Sequence, residues 1–450
     1  MTRPSLLKRR FYRNFSAYFS IKQRWQRRFT PAGRFVQIAL LVSAVIGLNT
    51  RQAVAYQIFG LLLALQAVAL IFTGVISLRR YRVALTVRRT LPRYATVGVR
   101  FDYPLRIAQQ GGQPRDGLSL FEIGHDPRPD LAQFCHAQEP GAARRNRFDR
   151  AVGYYRWAWL VRMNAVAVID EISVPPLAAD AAMTLTGHCT PHARGVLALD
   201  GIALARRDPF GLCRAYRIID LPGNVLVLPR TYRLPPLGLP GRLHAQPEHQ
   251  LSAAQSADGE EISGLRNYRP GDPMRDIHWK SFARTGQPMV KEYQAEYFER
   301  HALLLDTSGA VAGAAFEDAV ALAASLVGDV QQADVLLDLL FIGGDCHCFT
   351  MGPGQLQAEA LLRVLAEVRP CPDDALRALH ANVASRSAAL SSCICILLAW
   401  NRERQSMIDA LRQRGLPLLI WLVVEQRPAD CPAWVRVLHP GRIEEGLGQP

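Results

Sequence analysis

The stretch HALLLDTSGAVAGAAFEDAVALAASLVGDVQQADVLLDLLFI, residues 301–342, decides the fold. HALLLD and VLLDLLFI are apolar runs of strand length, and FEDAVALAASLVGDVQQ between them repeats its apolar residues at helical spacing. The alternation continues with helix QLQAEALLRVLAEV, strand CICILLAW, helix RERQSMIDALRQRG and strand PLLIWLVV. Parallel strands need a crossover between them, so apolar strands alternating with amphipathic helices predict a parallel sheet covered on both faces. Residues 299–440 therefore read as a doubly wound α/β domain, in which ligands bind outside the carboxyl ends of the strands.

The first strand ends at such an edge, in LLLDTSGA. A protease-like Asp-Thr-Gly turn is excluded, because an extra residue interrupts it and no second copy supplies the partner carboxylate of a shared-proton dyad. The edge resembles the von Willebrand factor A domain, whose metal site is a D-x-S-x-S turn after the first strand, through Asp306 and Ser308. It departs from that pattern at Ala310, where a second serine belongs, and at Trp400 and Asn401, where a further aspartate is expected. Magnesium demands near-octahedral oxygen ligation. Two readings stand: a degenerate metal site at Asp306 and Ser308 that would take magnesium, or a turn capped locally by the same side chains.

Upstream lies RNYRPGDPMRDIHWKSFART, residues 266–285. Arg269-Pro270-Gly271-Asp272 fits a type II turn, with Pro fixing one φ and Gly accepting the positive one. Asp272 then reads as a helix N-cap with Pro273 at the first helical position, and Met274, Ile277 and Phe282 as an inward stripe before Gly286 stops the helix. Arg266, Arg269, Arg275, Lys280 and Arg284 outnumber Asp272 and Asp276, which gives a cationic surface beside Trp279. Such a surface suits either a partner-binding patch or an internal ion-pair network. Catalysis is the poorer use: His278 has no nucleophile placed opposite it, and Ser281 would share its short helix.

The remaining chain frames these segments. Residues 81–230 lack long helical periodicity and show short alternating runs between turn formers, which predicts an antiparallel β-sandwich; Trp157 and Trp159 in YYRWAWL would then share a strand face. Residues 231–259 have linker composition, and 260–298 hold the Arg-rich segment. Nine cysteines, an odd number, speak for reduced core thiols over a disulfide framework.

The formal net charge of +14 first suggests a nucleic-acid binder, but residues 1–100 hold 18 of the 53 Lys and Arg and no acid, leaving −4 for the rest. That N-terminal segment contains two uncharged apolar runs, 35–50 and 52–78, which predict a transmembrane hairpin. Ten cations precede Phe35 and seven lie from Arg79 to Arg100, against Arg51 alone between the runs, so the positive-inside bias puts both termini in the cytoplasm of an inner-membrane protein. Residues 1–34 read as a basic amphipathic helix on anionic lipid or as a basic tail that fixes topology. The expected fold is thus multidomain: membrane hairpin, β-sandwich, then A-like α/β domain.

The run GLRNYRPGDPMRDIHWKSFARTGQPMVKEY, from Gly264 to Tyr293, resembles the signature of the bacterial family named for domain of unknown function 58. Arg194-Gly195, DPFGL at Asp208–Leu212, the LPR ending at Arg230, Asp306–Ser308 and Phe316-Glu317 are similar too. The resemblance implies a membrane-anchored, non-enzymatic adaptor associated with a MoxR-type AAA+ ATPase and with membrane proteins carrying transglutaminase-like domains. Arg266, Tyr268, Pro270, Gly271, Asp272, Arg275, His278, Trp279, Lys280, Arg284 and Thr285 are its candidate partner-binding or structural residues. The expectation names no catalytic or cofactor-binding residue and no nucleic-acid partner; its rivals are a magnesium-dependent hydrolase at Asp306 and an anion or nucleic-acid binder on the Arg-rich patch.

Overall fold

Helix α1 (Leu6–Arg28) carries aromatic residues at three- and four-residue spacing among its cations. Tyr12, Phe15 and Phe19 of this computed structural model lie on Phe134, Trp157 and Leu160, so one face of this helix packs on protein. Leu7, Tyr18 and Ile21 on the neighbouring face remain exposed. The structure describes residues 6–47, 53–79, 85–109, 116–137, 139, 141–142, 145–235, 244–245, 262–293, 297–307, 313–330, 335–342, 346–352, 355–371 and 376–448. The chain divides into two units, Met1–Pro229 and Arg230–Pro450.

In the first unit α2 (Pro31–Gly47) and α3 (Ala53–Arg79) follow α1 and are apolar along most of their length. Within α3, Tyr56–Val75 is long and apolar enough to cross a membrane, and α2 is shorter. Arg51, between the two apolar runs, lies outside the described residues.

Two sheets then face one another. One has the order β1-β3-β7-β5, built from β1 (Leu85–Arg89), β3 (Phe101–Gln109), β5 (Ala167–Ile169) and β7 (Ala182–Pro191). The other has the order β2-β9-β8-β4-β6, from β2 (Tyr94–Thr96), β4 (Leu118–Gly124), β6 (Ile172–Val174), β8 (Gly195–Arg207) and β9 (Arg214–Leu228). Alternation places Tyr103, Leu105 and Ile107 of β3 inward, against Leu118, Leu120, Ile202, Leu204, Val225 and Val227 of the opposite sheet. Pairing is antiparallel throughout except between β2 and β9.

Helices α4 (Leu131–His136), α5 (Arg147–Val152) and α6 (Tyr154–Asn164) interrupt the strands. The expectation that Trp157 and Trp159 share a strand face is therefore corrected. Both lie on α6, with Trp157 and Leu160 buried one helical turn apart. Packing against α1, through the ring pair of Tyr12 and Trp157, decides the conformation of a segment whose aromatic composition suits a strand.

An ion pair is buried within the sandwich. Arg89 binds Glu122, whose other carboxylate oxygen accepts from the Tyr103 hydroxyl at 3.2 Å, and Arg89 also donates to the Leu221 carbonyl. Burial pushes the Glu122 carboxyl up, and the guanidinium of Arg89 opposes that rise.

The second unit is built on an open sheet of order β15-β14-β13-β16-β17-β18: β13 (Tyr297–Leu305), β14 (Val335–Ile342), β15 (Cys346–Met351), β16 (Ser392–Leu397), β17 (Leu418–Val423) and β18 (Arg436–Leu438). It is parallel except for β15, which runs antiparallel to β14 along one edge, and β10 (His244–Ala245), antiparallel to the start of β13. Alternate residues serve opposite faces. Leu303, Leu305, Ile394 and Ile396 pack under α8 (Ala314–Val330), α9 (Gln355–Glu367) and α12 (Ile443–Leu447). Ala302, Leu304, Cys393 and Cys395 pack under α10 (Leu376–Arg386) and α11 (Arg402–Gln413). All six residues of β16 are buried, as a strand covered on both faces requires.

Arg230 and Tyr232 at the start of this unit both reach Asp318 of α8, whose second carboxylate oxygen accepts from the Gly441 N–H at 2.7 Å. The expected linker beyond them, 231–259, lies mostly outside the described residues.

Replacing Arg89 by alanine leaves a buried carboxylate uncompensated and is expected to cost about 3–5 kcal/mol. Urea unfolding followed by tryptophan fluorescence measures it, and adding Glu122→Leu is expected to recover most of the loss.

Candidate functional site

Strand order reverses at β13, which lies between β14 and β16, so the carboxyl end of β13 is where a sheet of this kind opens a crevice. Asp306 stands there, fully buried. Arg404 Nε donates to its Oδ2 at 2.7 Å and Arg404 Nη2 to its Oδ1 at 3.2 Å, and the Leu398 N–H adds a further bond at 3.2 Å. Arg404, itself 4% exposed, is in the first turn of α11, where Asn401 caps the helix by accepting from the Arg404 N–H at 3.1 Å. One carboxylate thus joins the ends of β13 and β16 to the start of α11.

This geometry bears on the magnesium expectation at Asp306. A bidentate guanidinium already neutralises the carboxylate and occupies both of its oxygens. The described residues do not fit a hard divalent cation at this carboxylate. Ser308 and Ala310 lie outside the described residues, and among those described no three His, Cys, Asp or Glu side chains gather into a metal-binding group. Arg404 was not singled out from sequence, although a signal existed. It falls on the helical face of Met407, Ile408 and Leu411, where a cation is out of place unless something buried pairs with it.

The Arg-rich segment forms a small lobe on a two-stranded antiparallel sheet, β11 (Ile262–Asn267) and β12 (Met289–Tyr293). The expected turn is present: Gly271 has φ +110° and the Asp272 N–H donates to the Arg269 carbonyl at 3.0 Å. Its continuation differs. Asp272 caps no helix; its carboxylate receives both Nη atoms of Arg266, at 2.7 and 2.8 Å, and the Arg269 N–H at 2.8 Å. These bonds, the Arg266 pair foremost, pull its pKa down to about 2. A single 3-10 turn, Met274–Asp276, follows.

Ile277 then leaves the helical path to bridge Val290 of β12, and this contact breaks the expected continuous helix. Helix α7 (Trp279–Thr285) starts afresh, with His278 as N-cap: its Nδ1 accepts from the Ser281 N–H at 3.3 Å and lies 2.7 Å from Ser281 Oγ. The imidazole is used as a cap, on the same short helix as the serine. Of the expected inward stripe only Ile277 is buried, whereas Met274 is 71% and Phe282 38% exposed.

Reorientation at Ile277 leaves Trp279 57% exposed, with the Phe282 ring edge-on at 6.0 Å. Arg275, Lys280 and Arg284 are exposed in the same segment, and the Thr285 hydroxyl donates back to the Ser281 carbonyl at 2.9 Å. Tyr268 is half-buried and its N–H donates to the Pro288 carbonyl at 2.9 Å, which closes the lobe opposite the Pro270-Gly271 turn. Internal pairing therefore uses Arg266 and Asp272, while the aromatic and cationic residues of α7 face outward.

A mostly parallel α/β sheet with a β-hairpin lobe entering its central strand defines the class of this unit. Residues 264–415 match the family model described as "Protein of unknown function DUF58". The chain is 30% identical over 122 residues to "Uncharacterized protein YeaD" of Bacillus subtilis (strain 168), a match that takes in 27% of this chain and 28% of that protein. The CARDB domain of a Pyrococcus furiosus protein in complex with di-metal ions is similar to 32% of the chain, covering 89% of that domain at 12% identity and a TM-score of 0.17. A cohesin module from a Clostridium perfringens family 33 glycoside hydrolase is similar to 32% of the chain, covering 97% of the module at 8% identity and a TM-score of 0.15. Likenesses this weak carry no structural argument.

Millimolar magnesium is expected to leave the thermal unfolding midpoint of the chain unchanged, whereas Arg404→Ala is expected to cost about 3–5 kcal/mol by stranding the Asp306 carboxylate. Asp272 titrates lower in the folded lobe than its ordinary value of 3.8, so its contribution is complete above that value and is lost as pH falls through about 2. Carboxyl chemical shifts followed by NMR during acid titration check this, and Arg266→Ala is expected to return the Asp272 titration toward 3.8.

Proposed function

We propose that the protein is a membrane-tethered, non-catalytic adaptor whose 262–293 lobe docks a protein partner. One observation carries the reading: Trp279, Phe282 and Met274 are exposed in one short segment together with Arg275, Lys280 and Arg284. Large apolar side chains left in water have a use when a partner covers them, and interface hot spots are enriched in tryptophan and arginine. Six Lys and Arg against three Asp and Glu over 262–293 favour an acidic partner surface.

In this proposal α2 and α3 form the membrane hairpin, with both ends of the chain cytoplasmic, and the 299–440 sheet is an A-like module that works without a metal at Asp306. The family resemblance suggests the partner class, a MoxR-type AAA+ ATPase acting beside a membrane protein with a transglutaminase-like domain. The Arg404 pairing speaks against the magnesium-dependent hydrolase.

Trp279→Ala is expected to lower co-purification of a MoxR-type ATPase under nucleotide-trapping conditions by at least about tenfold, with an unchanged circular dichroism spectrum. Lys280→Glu with Arg284→Glu is the second variant, expected to act the same way with a shallower dependence on salt. Failure of the wild-type chain to retain any such ATPase would sink the proposal, and salt-dependent binding of DNA in its place would favour an anion-binding role.

A further inference from the structure

The β8–β9 turn, Asp208–Cys213, is built differently from an ordinary solvent-facing turn. Its acid is turned inward: Asp208 is 4% exposed, and its carboxylate accepts from the Cys213 N–H at 2.6 Å and the Phe210 N–H at 3.2 Å. The Gly211 N–H donates to the Asp208 carbonyl at 2.9 Å, and the Asp208 N–H to the Cys213 carbonyl at 3.0 Å. Carbonyls on the far side are capped from the α1–α2 junction, where the Thr30 hydroxyl donates to Gly211 at 2.5 Å and the Thr30 N–H to Leu212 at 3.1 Å. Beyond these internally paired groups, the turn presents at its tip a half-exposed phenylalanine, Phe210.

The turn is also fixed in place along α2 and α3. A Cβ on Gly33 would lie 2.0 Å from the Leu212 carbonyl oxygen, so backbone meets backbone there. Gln66 Nε2 lies 3.3 Å from Cys213 Sγ, and Ala69 is fully buried against Leu212 and Cys213. Gln66 and Ala69 fall inside the apolar stretch Tyr56–Val75, whose other face, with Leu61, Val68, Ile71 and Val75, is exposed. Six residues separate Ala69 from Val75, about 9 Å along a helix. One leaflet's share of the hydrocarbon core is about 15 Å.

We infer that the Asp208–Cys213 turn inserts into the bilayer leaflet nearest the sandwich, with Phe210 among the acyl chains and anionic phospholipid headgroups against the neighbouring arginines. Non-helical backbone is tolerated at that depth where protein covers it, as α2 and α3 cover Leu212 and Cys213 here. Charge agrees with the placement. Burial lowers the pKa of Arg214 and Glu171 offsets this, while Arg207 and Arg34 lie near enough to lower it further, a crowding of cations that headgroup phosphates would relieve.

The inference rests on α2 and α3 crossing the membrane, and the experiment separates the two ideas. The full chain, carrying p-benzoylphenylalanine in place of either Leu61 or Phe210, is irradiated in vesicles of phosphatidylethanolamine and phosphatidylglycerol, and adducts are identified by mass spectrometry. Lipid adducts at both positions are the expected result. An adduct at Leu61 alone, or a protein adduct at Phe210, overturns the inserted turn and leaves the hairpin standing; no lipid adduct at either position overturns both.

Hydroxyl-radical footprinting of the unmodified chain in nanodiscs of the same lipids gives a readout without substitution. Phe210 is expected to be protected there, and oxidation at the rate of the exposed Phe148 overturns the inference.

Discussion

The second unit depends on a neutralised charge. Asp306 ends the central strand of the sheet with no exposure to water, and a carboxylate in that position is tolerable only because a guanidinium meets it along both oxygens. The geometry of that meeting fixes more than charge. Arg404 reaches Asp306 from a helix whose first turn is held by Asn401, while the Leu398 N–H adds the end of a second strand to the same oxygen. Three elements thus share one reference point at the crevice where folds of this layout commonly keep their chemistry.

Arginine–carboxylate pairs recur at the joints of both units. Arg89 and Glu122 bridge the two sheets of the sandwich, Arg300 binds Asp338 across β13 and β14 with Thr350 of β15 on the same carboxylate, and Arg230 fastens the start of the second unit to Asp318. Pairs withdrawn from water gain little net stability over apolar packing of the same volume, but removing either partner is costly. Their effect is to select one arrangement of strands and helices. The cations of α7 belong to a different population, exposed beside exposed aromatics.

The sequence disclosed these features unevenly, for physical reasons. Alternation of apolar strands with amphipathic helices is a local pattern, so the strands β13, β14, β16 and β17 and the helices α8, α9 and α11 could be read directly, whereas β15, α10, β18 and α12 were not; the Pro270-Gly271 turn was equally legible, its backbone demands being written in two residues. The conformation of YYRWAWL was decided elsewhere in the chain, by the aromatic face of α1 docking on Trp157, although the three-residue spacing of Trp157 and Leu160 was a signal in plain sight. At the candidate site the sequence marked Asp306 but not its partner 98 positions away, because a pairing across the sheet leaves no local pattern. Likewise the bridge from Ile277 to Val290, which breaks the helix after Asp276 and turns Trp279 outward, is a tertiary event invisible to capping rules.

The lobe's second strand, Met289–Tyr293, leads within a few residues into Tyr297–Leu305, the strand that pairs in parallel with a neighbour on each side and ends next to Asp306. Tension applied to the lobe is consequently transmitted along the covalent backbone into the middle of the sheet. There the hydrogen bonds on both flanks are loaded together in shear, with no single row peeled open in turn. The protein can be pulled by an exposed segment and resist with a buried strand.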